Sequence, residues 1–181
     1  MTRTGLLLAA GASRRFGPDD KLLAVYHGRP LVTHAVKAML ATNLDRRIAI
    51  VASDAVADHL QGFEIIRINQ SLQSDSLRAG LIAAQNPDRL LVALGDMPLV
   101  TAAHLTAILA LTTDQQIAAS HDGISPLPPA CFPRSRIADL QMLKGDQGAG
   151  RLLKNLPADA LIHAPDLLGD IDTPDQLARF D

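Results

Sequence analysis

The run Gly5-Leu6-Leu7-Leu8-Ala9-Ala10 carries no polar side chain and stops at Gly11. An amphipathic edge strand would alternate, and a membrane span would be three times longer. The run therefore reads as a strand buried on both faces, which requires a parallel sheet with helices above and below it. The same signal returns at 47–52, 63–68 and 89–94. Between these strands the apolar spacing turns helical. Pro30 sits at a first-turn position before a helix over 31–41, a short helix covers 56–60, another spans 76–85, and Thr101 caps a helix over 101–111. This βαβαβαβα order, with right-handed crossovers, predicts a Rossmann-like three-layer α/β/α fold around a mostly parallel sheet.

Beyond residue 112 the pattern weakens. Residues 117–120 read as a strand, and the prolines of Ser125-Pro126-Leu127-Pro128-Pro129 impose a rigid extended stretch. Helices are expected over 137–143 and 150–155, and residues 113–165 are expected to form an acceptor lobe over the sheet. Asp172-Thr173-Pro174-Asp175-Gln176 opens a last helix over about 172–181, with Thr173 as cap, Pro174 in the first turn and Gln176 three residues past the cap. The chain has 181 residues, 48% of them hydrophobic, which is enough for one domain (1–181), its nucleotide-binding part being 1–112.

Charge excludes several functions. A net charge of −2, with both signs spread along the chain, supplies no basic field for nucleic acid, and 3% aromatic content leaves little for base stacking. The single cysteine, Cys131, cannot form an internal disulfide, and no segment reads as a signal or membrane span. A cytoplasmic location without membrane or nucleic-acid partners is expected.

In a sheet of this kind ligands gather beyond the carboxyl ends of the strands. Two clusters follow strands: Gly11-Ala12-Ser13-Arg14-Arg15-Phe16-Gly17 and Gly95-Asp96-Met97-Pro98. Glycines at 11 and 17 allow backbone N–H groups to approach phosphate oxygens, and Arg14, Arg15 and Lys21 bring positive charge to the same place. The spacing fits neither the dinucleotide fingerprint nor the P-loop. An ordinary βα turn with solvated arginines has the same pattern. Asp96 is placed to hold Mg²⁺ against a triphosphate, or to bond its own turn before Pro98. Asp170 and Asp172 form a second acidic site; Asp172 can serve the dipole of the last helix, so Asp170 is the favoured metal ligand. The six histidines lack ligand spacing and read as packing or surface residues, His121 being the one worth testing. Cys131 reads as a buried structural thiol or, less simply, as an acceptor contact.

Taken in order, Leu8 to Gly17 with Lys21, Ser76-Leu77-Arg78-Ala79-Gly80-Leu81, Gly95-Asp96-Met97-Pro98, Phe132-Pro133-Arg134, Gly145-Asp146-Gln147-Gly148-Ala149 and Asp170-Ile171-Asp172-Thr173-Pro174 resemble the MobA-like nucleotidyltransferases over essentially the whole chain. Ala10, where guanylyltransferases usually carry glycine, and the 145–149 segment look most like the molybdenum cofactor cytidylyltransferase branch. The resemblance implies a nucleotide-diphospho-sugar transferase-like fold and a Mg²⁺-dependent transfer of CMP from CTP to a molybdopterin-type phosphate, with pyrophosphate leaving. It implies that Ala9, Ala10, Gly11, Ala12, Ser13, Arg15, Lys21, Ser74, Asp75, Ser76 and Arg78 bind the nucleotide. Arg15, Lys21 and Asp96 would be catalytic, and Asp96 and Asp170 would hold the metal. His121, Cys131, Arg134 and Arg151 would face the acceptor, and a molybdoenzyme or its chaperone would receive the product. A guanylyl- or other nucleotidyltransferase of the same fold on another phosphorylated acceptor, or a non-catalytic chaperone that binds cofactor or nucleotide, are the alternatives. The sequence departs from the family pattern in the longer stretch Pro18-Asp19-Asp20 before Lys21, in Leu72 and Asp75, in Gly150, and in the proline-rich 126–129 segment.

Overall fold

The computed structural model describes residues 1–11, 16, 20–69, 73–145 and 148–180. Strand β1 (Arg3–Ala9) is followed by a single 3-10 turn, Lys21–Leu23, and by a hairpin of β2 (Val25–Tyr26) and β3 (Arg29–Pro30). The chain continues through α1 (Val32–Leu40), β4 (Arg46–Val51), α2 (Asp54–Ala57), β5 (Glu64–Arg67), α3 (Gln73–Ala84), β6 (Arg89–Leu94) and α4 (Ala102–Leu111). Then come β7 (Ala118–His121), β8 (Pro126–Pro133), α5 (Arg134–Gln141), a 3-10 helix at Ala149–Leu153, β9 (Leu161–His163) and α6 (Pro174–Phe180). No described helix is long and apolar enough to cross a membrane.

The main sheet has seven strands in the order β5-β4-β1-β6-β8-β7-β9. β1, β4, β5 and β6 run parallel, β8 runs against both of its neighbours, and β9 is parallel to β7, so β8 alone is reversed. Alternate side chains of one strand supply both cores. Leu7 and Ala9 join Ala49, Leu91 and Cys131 under α1 and α4; Leu6 joins Ile48, Leu90 and Phe132 under α3 and α5. This double burial is why the strands lack polar alternation. Gly80 lets α3 lie close on the sheet, since a Cβ there would meet Leu6 Cδ1 at 2.5 Å.

The proline-rich stretch differs from expectation. Residues 126–133 are a strand inside the sheet between β6 and β7, and β7, β8 and β9 continue the layer instead of standing over it. Prolines cannot donate to a ladder, and the fold keeps Pro128 and Pro129 out of it. β8 pairs with β7 at Ala118↔Cys131 and Ala119↔Ala130, then skips to Ser120↔Leu127 and His121↔Pro126. The carbonyl of Pro129 accepts instead from the Ser120 hydroxyl at 2.8 Å. The hairpin of β2 and β3 turns at His27 and Gly28 with φ 45° and 73°, the positive pair a tight hairpin turn needs.

Candidate active site at the carboxyl edge of the sheet

β1 and β6 pair in register up to Leu8↔Leu94, so the segments that follow them leave the sheet side by side. The Gly95 N–H donates to the Leu8 carbonyl at 3.0 Å. A Cβ on Gly95 would stand 3.3 Å from that of Ala9, so the glycine lets the two segments touch. Ala9 and Ala10 are buried there, whereas Gly11 is exposed and a Cβ on it would meet nothing described within 4 Å. Among the described residues, no internal contact demands the glycine. Ala12, Ser13, Arg14, Arg15 and Gly17 lie outside the described residues, as does Leu72. Phe16 is described, and packs with Tyr26, Leu31 and Ile171 in a small third core.

That third core explains how distant segments converge. Ile171 is fully buried in it, and its N–H donates to the Asp96 carbonyl at 3.1 Å. The aspartates on either side of Ile171 are thereby brought to the end of β6. Lys21, opening the 3-10 turn that Asp20 caps through Leu22 N–H, reaches the same point. Its ammonium donates to Asp96 Oδ2 at 2.7 Å and to Asp172 Oδ1 at 2.6 Å. Lys21 is 8% exposed. Burial opposes its charge, but the Asp96 carboxylate and the hydrogen bonds Lys21 donates to Asp172 and Asp96 outweigh it, holding the ammonium above the ordinary lysine range. Desolvation, and then the like charges of Asp172 and Asp96, push the Asp170 carboxyl up.

Three carboxylates therefore share this corner with Lys21. One oxygen, Asp96 Oδ1, is buried with no hydrogen-bond partner among the described residues, although an unpaired buried carboxylate oxygen costs free energy. Excess negative charge and an orphaned hard oxygen fit a divalent cation. No complete set of three His, Cys, Asp or Glu ligands exists among the described residues, so such a cation would draw the rest of its shell from water or substrate oxygens.

Asp172, whose position also suits the helix dipole, is with Asp96 one of the two aspartates that bond Lys21. The cap is made by its neighbours: Gln176 N–H donates to Thr173 Oγ1 at 3.2 Å, and Gln176 Oε1 accepts from Thr173 N–H at 3.0 Å. This reciprocal box leaves the Asp172 carboxylate for other work. The box was readable from Thr173 and Gln176, and its consequence for Asp172 with it.

The first turn of α3 reaches the same edge, because α3 follows β5. Ser74 and Ser76 are buried there, and Ser74 N–H donates to the Gly145 carbonyl at 3.2 Å. Asp75 and Arg78 are half exposed and lie 3.8 Å apart along the helix. His121 ends β7, which β8 separates from β6, so it stands at the same edge roughly 10 Å across two inter-strand spacings. Its Nδ1 accepts from Gly123 N–H at 2.9 Å, and its ring lies 4.3 Å from that of His163, a residue no motif marks. Arg151 is exposed on the 3-10 helix at Ala149–Leu153.

Two expected acceptor residues are corrected. Cys131 is completely buried in the core under α1 and α4. Burial pushes its thiol up to about 11, so it reaches no ligand. Arg134 follows the reversed strand β8 and lies at the opposite edge of the sheet, where its guanidinium meets Asp88 at 3.0 Å.

Comparison with known proteins agrees with this geometry. The family model described as the MobA-like NTP transferase domain matches residues 5–161. The purine catabolism protein PucB of Bacillus subtilis is 30% identical, the match covering 95% of this chain and 92% of that protein. The molybdenum cofactor guanylyltransferase of Pseudomonas fluorescens is 29% identical over 96% of this chain and 90% of its own. The crystal structure of Rv0371c from Mycobacterium tuberculosis superposes with a TM-score of 0.85 at 24% identity, covering 99% and 97% of the two chains, a likeness of fold.

Proposed function

The chain belongs to the MobA-like NTP transferase family, and we propose that it transfers a nucleotidyl group from a nucleoside triphosphate to a molybdopterin-type phosphate, with Mg²⁺ as its cofactor and pyrophosphate leaving. One observation carries this reading. Lys21 sits between Asp96 and Asp172 at the end of β6, beside an orphaned Asp96 Oδ1. Cation-binding and phosphate-binding chemistry thus share one corner with the loop that follows β1.

The work left to the side chains is positioning and charge neutralisation. The segment after Ala10 and the first turn of α3 flank the nucleotide; Lys21, with Arg15 from the loop, meets the charge of the triphosphate. Asp96 and Asp172 hold the cation, with Asp170 adding negative charge beside them. Mg²⁺ held there would supply charge neutralisation on the phosphates. The acceptor's phosphate monoester is already an anion near neutral pH and attacks the α-phosphorus in line, so no strong base is required. His121 and His163 lie on the side where the acceptor would extend.

Ala10 supports CTP as the donor. The Pseudomonas relative, a guanylyltransferase by name, supports GTP as the second reading. Pyrophosphate release from CTP, GTP, UTP and ATP, with Mg²⁺ and molybdopterin, decides between them. CTP turnover at least tenfold above the others is expected; turnover with GTP equal to or above it rejects the cytidylyl assignment. No turnover with any of the four, in a folded protein, rejects the transferase reading in favour of a binding protein.

A further inference from the structure

We propose that Lys21 is the resident counter-cation of the nucleotide-free site, and that its ammonium leaves Asp96 and Asp172 only when a triphosphate arrives to receive it, making divalent-metal binding there contingent on nucleotide. The proposal rests on the transferase reading for the triphosphate, and on the geometry for the rest.

Lys21 Nζ lies 2.7 Å from Asp96 Oδ2 and 2.6 Å from Asp172 Oδ1, so a positive charge already stands between the two carboxylates that a metal would use. A divalent cation and an ammonium on the same carboxylates repel strongly in a partly dehydrated corner. Lys21 cannot simply withdraw, because its side chain is nearly enclosed and a buried ammonium without an anion is costly. Asp20 caps the turn that begins at Lys21, and Leu22, the next residue, is fixed in the core. Movement is therefore confined to the lysine side chain, and on the transferase reading the incoming triphosphate presents a phosphate to which it can pass. With such a phosphate present, the lysine charge passes to it and the carboxylate pair is released to the metal. Without one, Lys21 and the metal compete.

Two measurements on the full chain test this. Mn²⁺ binding without nucleotide, followed through the free-ion electron paramagnetic resonance signal, should be at least about tenfold tighter in Lys21→Met than in wild type, since a neighbouring positive charge has been removed. The same variant should melt lower than wild type without metal and recover with it. In wild type, the slowly exchanging ammonium signal of Lys21 in proton–nitrogen spectra should survive millimolar Mg²⁺ alone and be displaced by CTP or GTP with Mg²⁺. Equal Mn²⁺ affinity in the two proteins, or displacement of the signal by Mg²⁺ alone, overturns the proposal and leaves the transferase reading standing. Failure of both CTP and GTP, with Mg²⁺, to move the signal overturns both.

Discussion

The two edges of the sheet carry similar residues in opposite arrangements. At the amino edge, opposite charges are matched across strand ends: Arg134 with Asp88 at 3.0 Å, the N-terminal ammonium with the same carboxylate at 3.9 Å, and Arg89 with Asp114 at 2.7 Å. Asp45 accepts the Arg3 N–H at 2.7 Å, and Asp88 accepts from Thr2. At the carboxyl edge, Asp96, Asp170 and Asp172 gather around Lys21, one carboxyl is pushed up by burial and then by its neighbours, and one oxygen has no partner among the described residues. Matched charge pins strands in place. Unmatched charge is tolerated where a ligand completes it, which is how a functional site departs from its scaffold.

The largest expected effect breaks the carboxyl edge. Asp96→Asn should lower nucleotidyl transfer by several kcal/mol of transition-state stabilisation, roughly a thousandfold, while leaving the melting temperature near that of wild type. Steady-state pyrophosphate release and thermal melting read the two quantities. Comparable losses in both would mean that Asp96 is a scaffold residue like Asp88. Second in size is the support beneath the edge. Gly80→Ala would drive a Cβ into Leu6, an overpacking that costs about 1–3 kcal/mol. By displacing α3 with Ser74 and Ser76, it should also raise KM for nucleotide more than it lowers kcat. Denaturant titration and initial-rate kinetics check the pair, and an unchanged KM would detach the α3 turn from the site.

Much of this contrast was legible in the sequence, for physical reasons that differ by region. Both-face burial left β6 without a polar side chain after Arg89, so 89–94 coincides with Arg89–Leu94, and Thr101 caps α4 through the His104 N–H at 3.2 Å. Asp96 was legible because an acid after a buried strand has few other places to be. β8 was hidden because four of its eight residues are prolines, which local propensity assigns to non-ladder backbone; only the tertiary skip opposite Ala119 and Ser120 reconciles them with a sheet. The reversal of β8 then sends Arg134 to the far edge, which no local pattern encodes. Asp172 was legible only as one of two acids before the last helix, because its position suits a dipole role as well as a ligand role; its contact with Lys21 depends on the third core that buries Ile171, which no local pattern encodes.

Two titrations sharpen the comparison further. His104, at the start of α4, is buried, and burial holds its imidazole below the ordinary histidine value. A base with a depressed folded pKa stabilises above its unfolded value and loses that contribution as pH falls toward the folded one. Wild-type stability should therefore decline more steeply below about pH 6.5, by up to about 1.4 kcal/mol per pH unit. His104→Gln, which can still donate to Ser120 Oγ, should flatten this part of the profile in urea unfolding between pH 7.5 and 5.5. An unchanged slope would assign the titration elsewhere. Asp170 behaves oppositely. Its raised pKa stabilises below the unfolded value, about 3.9, and that contribution is lost as pH rises through the folded one. At neutral pH Asp170→Asn should slightly raise the melting temperature of the metal-free protein, and the gain should vanish in acid. A lowered melting temperature at neutral pH would show that Asp170 is paired in the manner of the amino edge.

The smallest expected effect comes from the amino edge itself. Arg134 and Asp88 form a half-exposed pair, and exposed pairs gain little because water and salt screen them. Asp88 keeps other support when the arginine is removed, since the Thr2 N–H donates to it at 2.6 Å and the Thr2 hydroxyl at 3.2 Å. Its carboxyl is held below the ordinary range first by that backbone hydrogen bond and only afterwards by the charge of Arg134. Arg134→Ala should therefore leave KM for nucleotide and acceptor unchanged and shift the melting temperature only marginally, the shift shrinking as salt is added. A rise in the acceptor KM without loss of stability would return Arg134 to the site. That would require the acceptor to reach around the sheet to the edge opposite Asp96, which the length of β6 separates from it.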